Sequence, residues 1–109
     1  MANTFKLKTK ANVGVTTVGI YTATAARSTV VIGITMANTS GSGVNVGVGI
    51  TRAGTTEDVK LLKNAPIPQG SSLEFMSGNK IVLEATDTVT VDSDTNNSVD
   101  ASLTIMEIT

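Results

Sequence analysis

Apolar and polar residues alternate with a period of two along nearly the whole chain. That spacing places one set of side chains on a buried strand face and the other toward solvent. Phe5 and Leu7 alternate with Lys6, Lys8 and Lys10. Val13 and Val15 are followed by a break in phase at Thr16-Thr17, then by Val18 and Ile20. Val30, Ile32, Ile34 and Met36 read as one face of a longer run, with Val31, Gly33, Thr35 and Ala37 opposite. Val44, Val46, Val48 and Ile50 form the most regular stripe. Shorter runs follow at Val59–Leu62, Leu73–Met76 and Ile81–Leu83, then Val89 and Val91 opposed by Thr88 and Thr90. Val99, Ala101, Leu103 and Ile105 carry the last strand.

Turn-forming residues separate these runs, at Asn38–Gly43, Ala53–Thr56, Ala65–Gly70, Ser77–Asn79 and Asp92–Ser98. Gly supplies positive φ, Pro fixes φ, and Asn and Asp bond their own backbone. No window carries an apolar stripe at helical spacing, and β-branched residues dominate throughout. The pattern predicts an all-β, antiparallel β-sandwich of eight or nine strands with at most one helical turn. It is jelly-roll-like, with an immunoglobulin-like topology as the alternative. At 109 residues the chain reads as one domain, 1–109. Residues 1–10 form an N-terminal strand, or an arm that contacts a neighbour.

Composition narrows the function more by what is missing than by what is present. There is no His, Cys or Trp, and there is one Tyr. Without His, the abundant Ser and Thr lack the usual base that would make one a nucleophile. A carboxylate pair of the glycosidase kind would want stacking rings around its cleft. Only Phe5, Tyr21 and Phe75 are aromatic, and two of the three fall in core-like positions. The expectation is a protein that is not an enzyme and needs no cofactor. Apolar residues make up 40% of the chain, charged residues 16%, and the mean hydropathy is +0.19. A domain this small buries roughly two thirds of its unfolded surface, so apolar side chains left over favour a homo-oligomer, a trimer included, or a larger partner. The net charge of −1 gives no field to steer the chain to nucleic acid. No run approaches the roughly 20 apolar residues of a membrane-spanning helix. Nucleic acid and membrane are therefore not expected partners, and no leader for secretion is read at Met1–Lys6.

Three features could carry binding. Lys6, Lys8 and Lys10 lie on one strand face, where they meet an acidic partner surface or simply protect an edge strand from stray pairing. Gly47 and Gly49 leave one face of their strand bare, either as a flat contact with a neighbouring chain or as the mark of a bulge. Asp92, Asp94 and Asn96 have the alternate spacing of oxygen ligands for calcium. However, Asn97 stands where an EF-hand loop has its turn Gly, and Leu103 where the bidentate Glu belongs. A polar hairpin loop is the plainer reading. Met36, Met76 and Met106 read as core fillers.

The stretch Pro66-Ile67-Pro68-Gln69-Gly70 through Leu73-Glu74-Phe75, Lys80–Val91 and Ala101–Ile108, with Val30–Thr39 upstream, resembles small β-sandwich virion proteins of tailed bacteriophages. The opening Met1-Ala2-Asn3-Thr4-Phe5 looks like those of short structural proteins from marine and cyanobacterial phages. Where such chains have Gly before the Asp-Thr pair, this one has Thr86. The resemblance implies a multicopy virion protein assembled in the host bacterial cytoplasm. It implies a capsid decoration or cement protein on the outer shell, with the major capsid protein as partner. A neck, tail or baseplate accessory protein, or a glycan-binding fibre head module, is the alternative.

Overall fold

The computed structural model describes residues 3–24, 28–52, 57–75 and 80–108. Nine strands run in the order β1 (Asn3–Val13), β2 (Val18–Thr22), β3 (Ser28–Asn38), β4 (Val44–Thr51), β5 (Asp58–Ile67), β6 (Ser72–Phe75), β7 (Ile81–Leu83), β8 (Thr88–Ser93) and β9 (Val99–Ile108). No helix occurs among the described residues. The predicted turns at Ala53–Thr56 and Ser77–Asn79, and Met76, lie outside the described residues.

The strands form two antiparallel sheets. One has the order β1-β9-β3-β6, with β7 also on β3, and the other the order β2-β8-β4-β5. β6 pairs with Ile34–Ala37 and β7 with Thr29–Val31, so together they act as one interrupted strand. This is the jelly-roll connectivity. In an immunoglobulin-like sandwich the first two strands share a sheet, whereas here β1 and β2 lie in different sheets, which sets that alternative aside.

The core lies between the sheets, built from alternate positions of the four central strands. Val44, Val46, Val48 and Ile50 of β4 are all buried, as are Val89 and Val91 of β8. Facing them are Val31, Ile34 and Met36 of β3 and Val99, Ala101, Leu103 and Ile105 of β9. Burying each such large side chain contributes about 1.5–3 kcal/mol, and Leu103→Ala would cost about 2–5 kcal/mol.

The β3 stripe is not the continuous one that the sequence suggests. The register against β9 shifts between Val31 and Gly33, leaving Ile32 as an extra, bulged residue. Thr29 and Val31 point inward before the bulge, and Ile34, Met36 and Asn38 after it. Bulges insert one residue and exchange the faces, which is why Val30 and Ile34 do not share a side. Asn38, the last inward residue, donates from Nδ2 to the carbonyls of Ser42 (2.8 Å) and Ile67 (2.9 Å). Its Oδ1 accepts from the Ser40 amide at 2.9 Å, so a buried amide staples the β3–β4 loop to the end of β5.

Candidate functional site

β1 places its side chains opposite to the expectation that apolar residues face inward. Pairing of Lys6 with Ile105, Lys8 with Leu103 and Lys10 with Ala101 puts the three lysines on the inner face, beside the core residues of β9. Phe5 and Leu7 pair with Met106 and Thr104 on the outer face, where they are 68% and 64% exposed. β1 overhangs the short edge strand β2, so the lysines reach a rim between the sheets. There Lys6 Nζ lies 2.9 Å from Glu107 Oε1, a carboxylate whose side chain is only 2% exposed. The Tyr21 hydroxyl donates to Glu107 Oε2 at 2.7 Å and lies 3.1 Å from Thr29 Oγ1. Lys8 Nζ sits 5.9 Å from the centre of the Tyr21 ring, a cation–π distance. Burial, above all, raises the Tyr21 pKa from 10.0, opposed by the bond to Thr29 and reinforced by that to Glu107. Glu107 continues the inward series Val99, Ala101, Leu103, Ile105, so an acid takes a core position and is satisfied by Tyr21 and Lys6.

Gly47 and Gly49 face outward on β4 yet are buried. A Cβ on Gly47 would lie 2.5 Å from Asp92 Oδ1 and 3.2 Å from the Leu62 carbonyl oxygen. On Gly49 it would lie 2.9 Å from the Val59 carbonyl oxygen. The register of β5 shifts on both sides of Val48, and these bulges bring the carbonyls over the glycines. Asp92 lies across Gly47, accepting from Thr17 Oγ1 at 3.0 Å and standing 3.7 Å from Lys60 Nζ. The bare strip is covered by the chain's own side chains.

The structure sends the oxygens of the 92–97 loop to separate donors. Asp94 Oδ1 accepts from the Asn45 amide at 3.1 Å. Asn96 Oδ1 accepts from the Val15 amide at 3.3 Å, while Asp92 points to Thr17. Ser93 and Ser98 are joined at 2.7 Å beneath the turn, and Asn97 takes φ 53°. The arrangement ties a hairpin loop to the starts of two other strands.

The opposite corner is held by Arg52, whose Nη2 donates to Glu84 Oε1 at 2.8 Å and whose Nε is 3.1 Å from Asp87 Oδ2. Asp87, first among the causes, raises the Arg52 pKa. Thr86, in the Glu84–Asp87 turn, adopts φ 66°, the left-handed region that Gly enters freely.

A surface that the periodicity did not reveal lies on the outer face of the β1-β9-β3 sheet. Val82 pairs with Val30, Val30 with Met106, and Met106 with Phe5. These four outward side chains make one transverse apolar row across four strands. Val82 is 63% exposed. Met106 is thus part of this outer row and only half-buried, whereas Met36 is a core residue as expected. Cross-strand register carries this information, and one strand's own pattern does not.

Neither family models nor curated protein sequences match this chain. Its fold recurs in solved structures. A chain of the Bacillus endospore appendages, a family of disulfide-linked pili, aligns at TM-score 0.59 and 16% identity over 99% of this chain and 87% of its own. A chain from the acid-stable capsid of Helicobacter pylori bacteriophage KHP30 gives 0.58 and 11% over 98% and 87%. One from the capsid asymmetric unit of cyanophage Pam1 gives 0.54 and 11% over 96% and 84%. At these identities the likeness is one of fold.

Proposed function

We propose that this chain is a non-enzymatic structural protein of a bacteriophage virion, present in many copies as a decoration protein on the outer shell. The observation that carries the reading is the whole-length match to chains from two phage capsids, which are themselves only slightly longer than this one. The interior chemistry agrees. The buried acids Asp87 and Glu107 are both committed to partners within the chain, which suits a scaffold better than a reaction centre. The pilus likeness extends the same fold to a filament, but disulfide linkage requires cysteine, and this sequence has none.

Attachment to the major capsid protein would use the rim of β1. Lys6 is held by Glu107, and Lys8 and Lys10 remain on the same inward row to meet acidic groups. Such contacts weaken as salt screens them. Co-sedimentation of the purified protein with stripped phage heads and with isolated tails tests the reading. Saturable, salt-sensitive binding to heads is the expected result. Binding to tails alone would move the protein to the neck, tail or baseplate, and binding to neither would overturn the virion assignment.

A further inference from the structure

We infer that β1 is an exchangeable arm: residues 3–10 of one copy leave their own β9 and complete the same sheet of a second copy. Residues 3–12 belong neither to the core nor to the partly buried apolar residues packed against it. All are exposed except Lys8, which is half-buried. β5, an edge strand of the other sheet, differs, because its Leu61, Leu62 and Ala65 pack on the core. The arm is held by its backbone ladder, from Asn3 opposite Ile108 to Lys10 opposite Ala101, and by the Lys6–Glu107 pair. Water replaces the bonds of an exposed ladder at small net cost. A segment held in this way opens before the domain unfolds.

The hinge is marked in the backbone. The register against β9 breaks between Lys10 and Val13. Asn12, inside the break, sits at φ 58°, a region that residues other than Gly enter at a cost. Returning Asn12 to extended backbone relieves that cost and turns the arm away from β9. Beyond the break the chain is fixed. Val13 is buried, its carbonyl accepts from the Ser98 amide at 3.1 Å, and the Gly14 carbonyl accepts from the Ser93 amide at 2.9 Å.

The vacated edge selects its occupant. It presents a row of open backbone groups, a template for another strand. On its inner face Glu107 is buried and takes a cation 2.9 Å away. The Tyr21 ring takes a second cation at 5.9 Å. An apolar or acidic strand would remove both charges from this rim, and removing a cation from a buried carboxylate is destabilising. The β1 of a second copy carries Lys6 and Lys8 at the same spacing, so every contact of the closed form is regained. Exchange of an identical element is a low-cost route to assembly. Closed and exchanged forms share their contacts, so concentration sets the balance between them. Eight extended residues span about 27 Å, enough to reach an adjoining copy.

Disulfide trapping tests this on the purified chain alone, so its outcome is independent of the virion reading. The chain has no cysteine of its own, and Leu7 lies opposite Thr104 on the outer face. Leu7→Cys and Thr104→Cys are made in separate copies, mixed and oxidised. A disulfide between them forms efficiently when the arm of one copy lies on β9 of the other. The linked dimer is expected to accumulate at least tenfold faster than in a mixture of Leu7→Cys with Gly41→Cys, which reports random collision. Adding Lys6→Ala to the Leu7→Cys copy is expected to raise the opening rate about tenfold. Should either cysteine variant unfold, Thr9→Cys with Ser102→Cys, the next outward pair, replaces them. Hydrogen exchange of the wild type gives a second readout. Amides of β9 bonded to β1 are expected to exchange at least about a hundredfold faster than those bonded to β3. Trapping no faster than the Gly41→Cys control overturns the inference, as does equal protection of the two sets of β9 amides.

Discussion

The Lys6 ammonium lies 2.9 Å from the Glu107 carboxylate, joining an exposed edge strand to an acid at the end of the core stripe of β9. Burying that carboxylate without a counter-charge would be costly. Lys6 is 40% exposed, so water can take over part of its role. Lys6→Ala is therefore expected to cost about 1–2 kcal/mol, between the values for exposed and for fully buried pairs. Lys10→Ala, on the same strand face, should change stability by less than about 0.5 kcal/mol. Urea titrations of both variants check this, and equal effects would show that the Glu107 contact does not matter.

Tyr21 makes stability depend on alkaline pH. Its folded-state pKa is raised above 10.0, first by burial, so the native state holds the phenolic proton more tightly than the unfolded chain does. The resulting stabilisation is full below the unfolded value of about 10 and is lost as pH rises through the higher folded value. Denaturation midpoints between pH 8 and about 11 should fall more steeply for the wild type than for Tyr21→Phe, which cannot titrate. Parallel curves would contradict the assignment.

Gly49→Ala should destabilise by about 1–3 kcal/mol, because the new Cβ meets the Val59 carbonyl oxygen at 2.9 Å and a bulged backbone cannot easily yield. Gly41 has nothing within 4 Å of such a Cβ, so Gly41→Ala should stay within about 0.5 kcal/mol of the wild type. Thermal melts of the two variants separate a packing requirement from a general dislike of substitution.

Thr86 sits at φ 66° with a β-branched side chain, a conformation costing about 1–2 kcal/mol. Thr86→Gly removes that strain but adds freedom to the unfolded chain. A net gain of about 0.5–1 kcal/mol is expected. A loss of stability would mean that the Thr86 hydroxyl, which donates to the Ala85 carbonyl at 2.6 Å, outweighs the strain.

The regular stripes were legible from the chain alone. Val44 to Ile50 and Val99 to Ile105 keep one phase, so their alternation points directly at the buried face. β3 departs from the single stripe that its sequence predicts because its bulge at Ile32 lies between apolar residues on both phases, and periodicity does not reveal which phase turns inward. β1 was ambiguous for a different reason. Its lysines belong to the inner face because Glu107 and Tyr21 await them there, and those partners lie about a hundred and about fifteen residues away in the sequence. Gly47 and Gly49 leave a contact with a neighbouring chain and a bulge equally open in the sequence, and only the register places Asp92 and the bulged β5 carbonyls over them. The apolar row from Phe5 to Val82 takes one residue from each of four strands, which no local window can assemble.

The most direct test of the virion assignment is quantitative mass spectrometry of phage particles purified from a lysate that contains this chain, with heads and tails separated. The account predicts the protein in many copies per head, in a fixed ratio to the major capsid protein. Its absence from purified particles, with the protein found only in the soluble lysate, would contradict it.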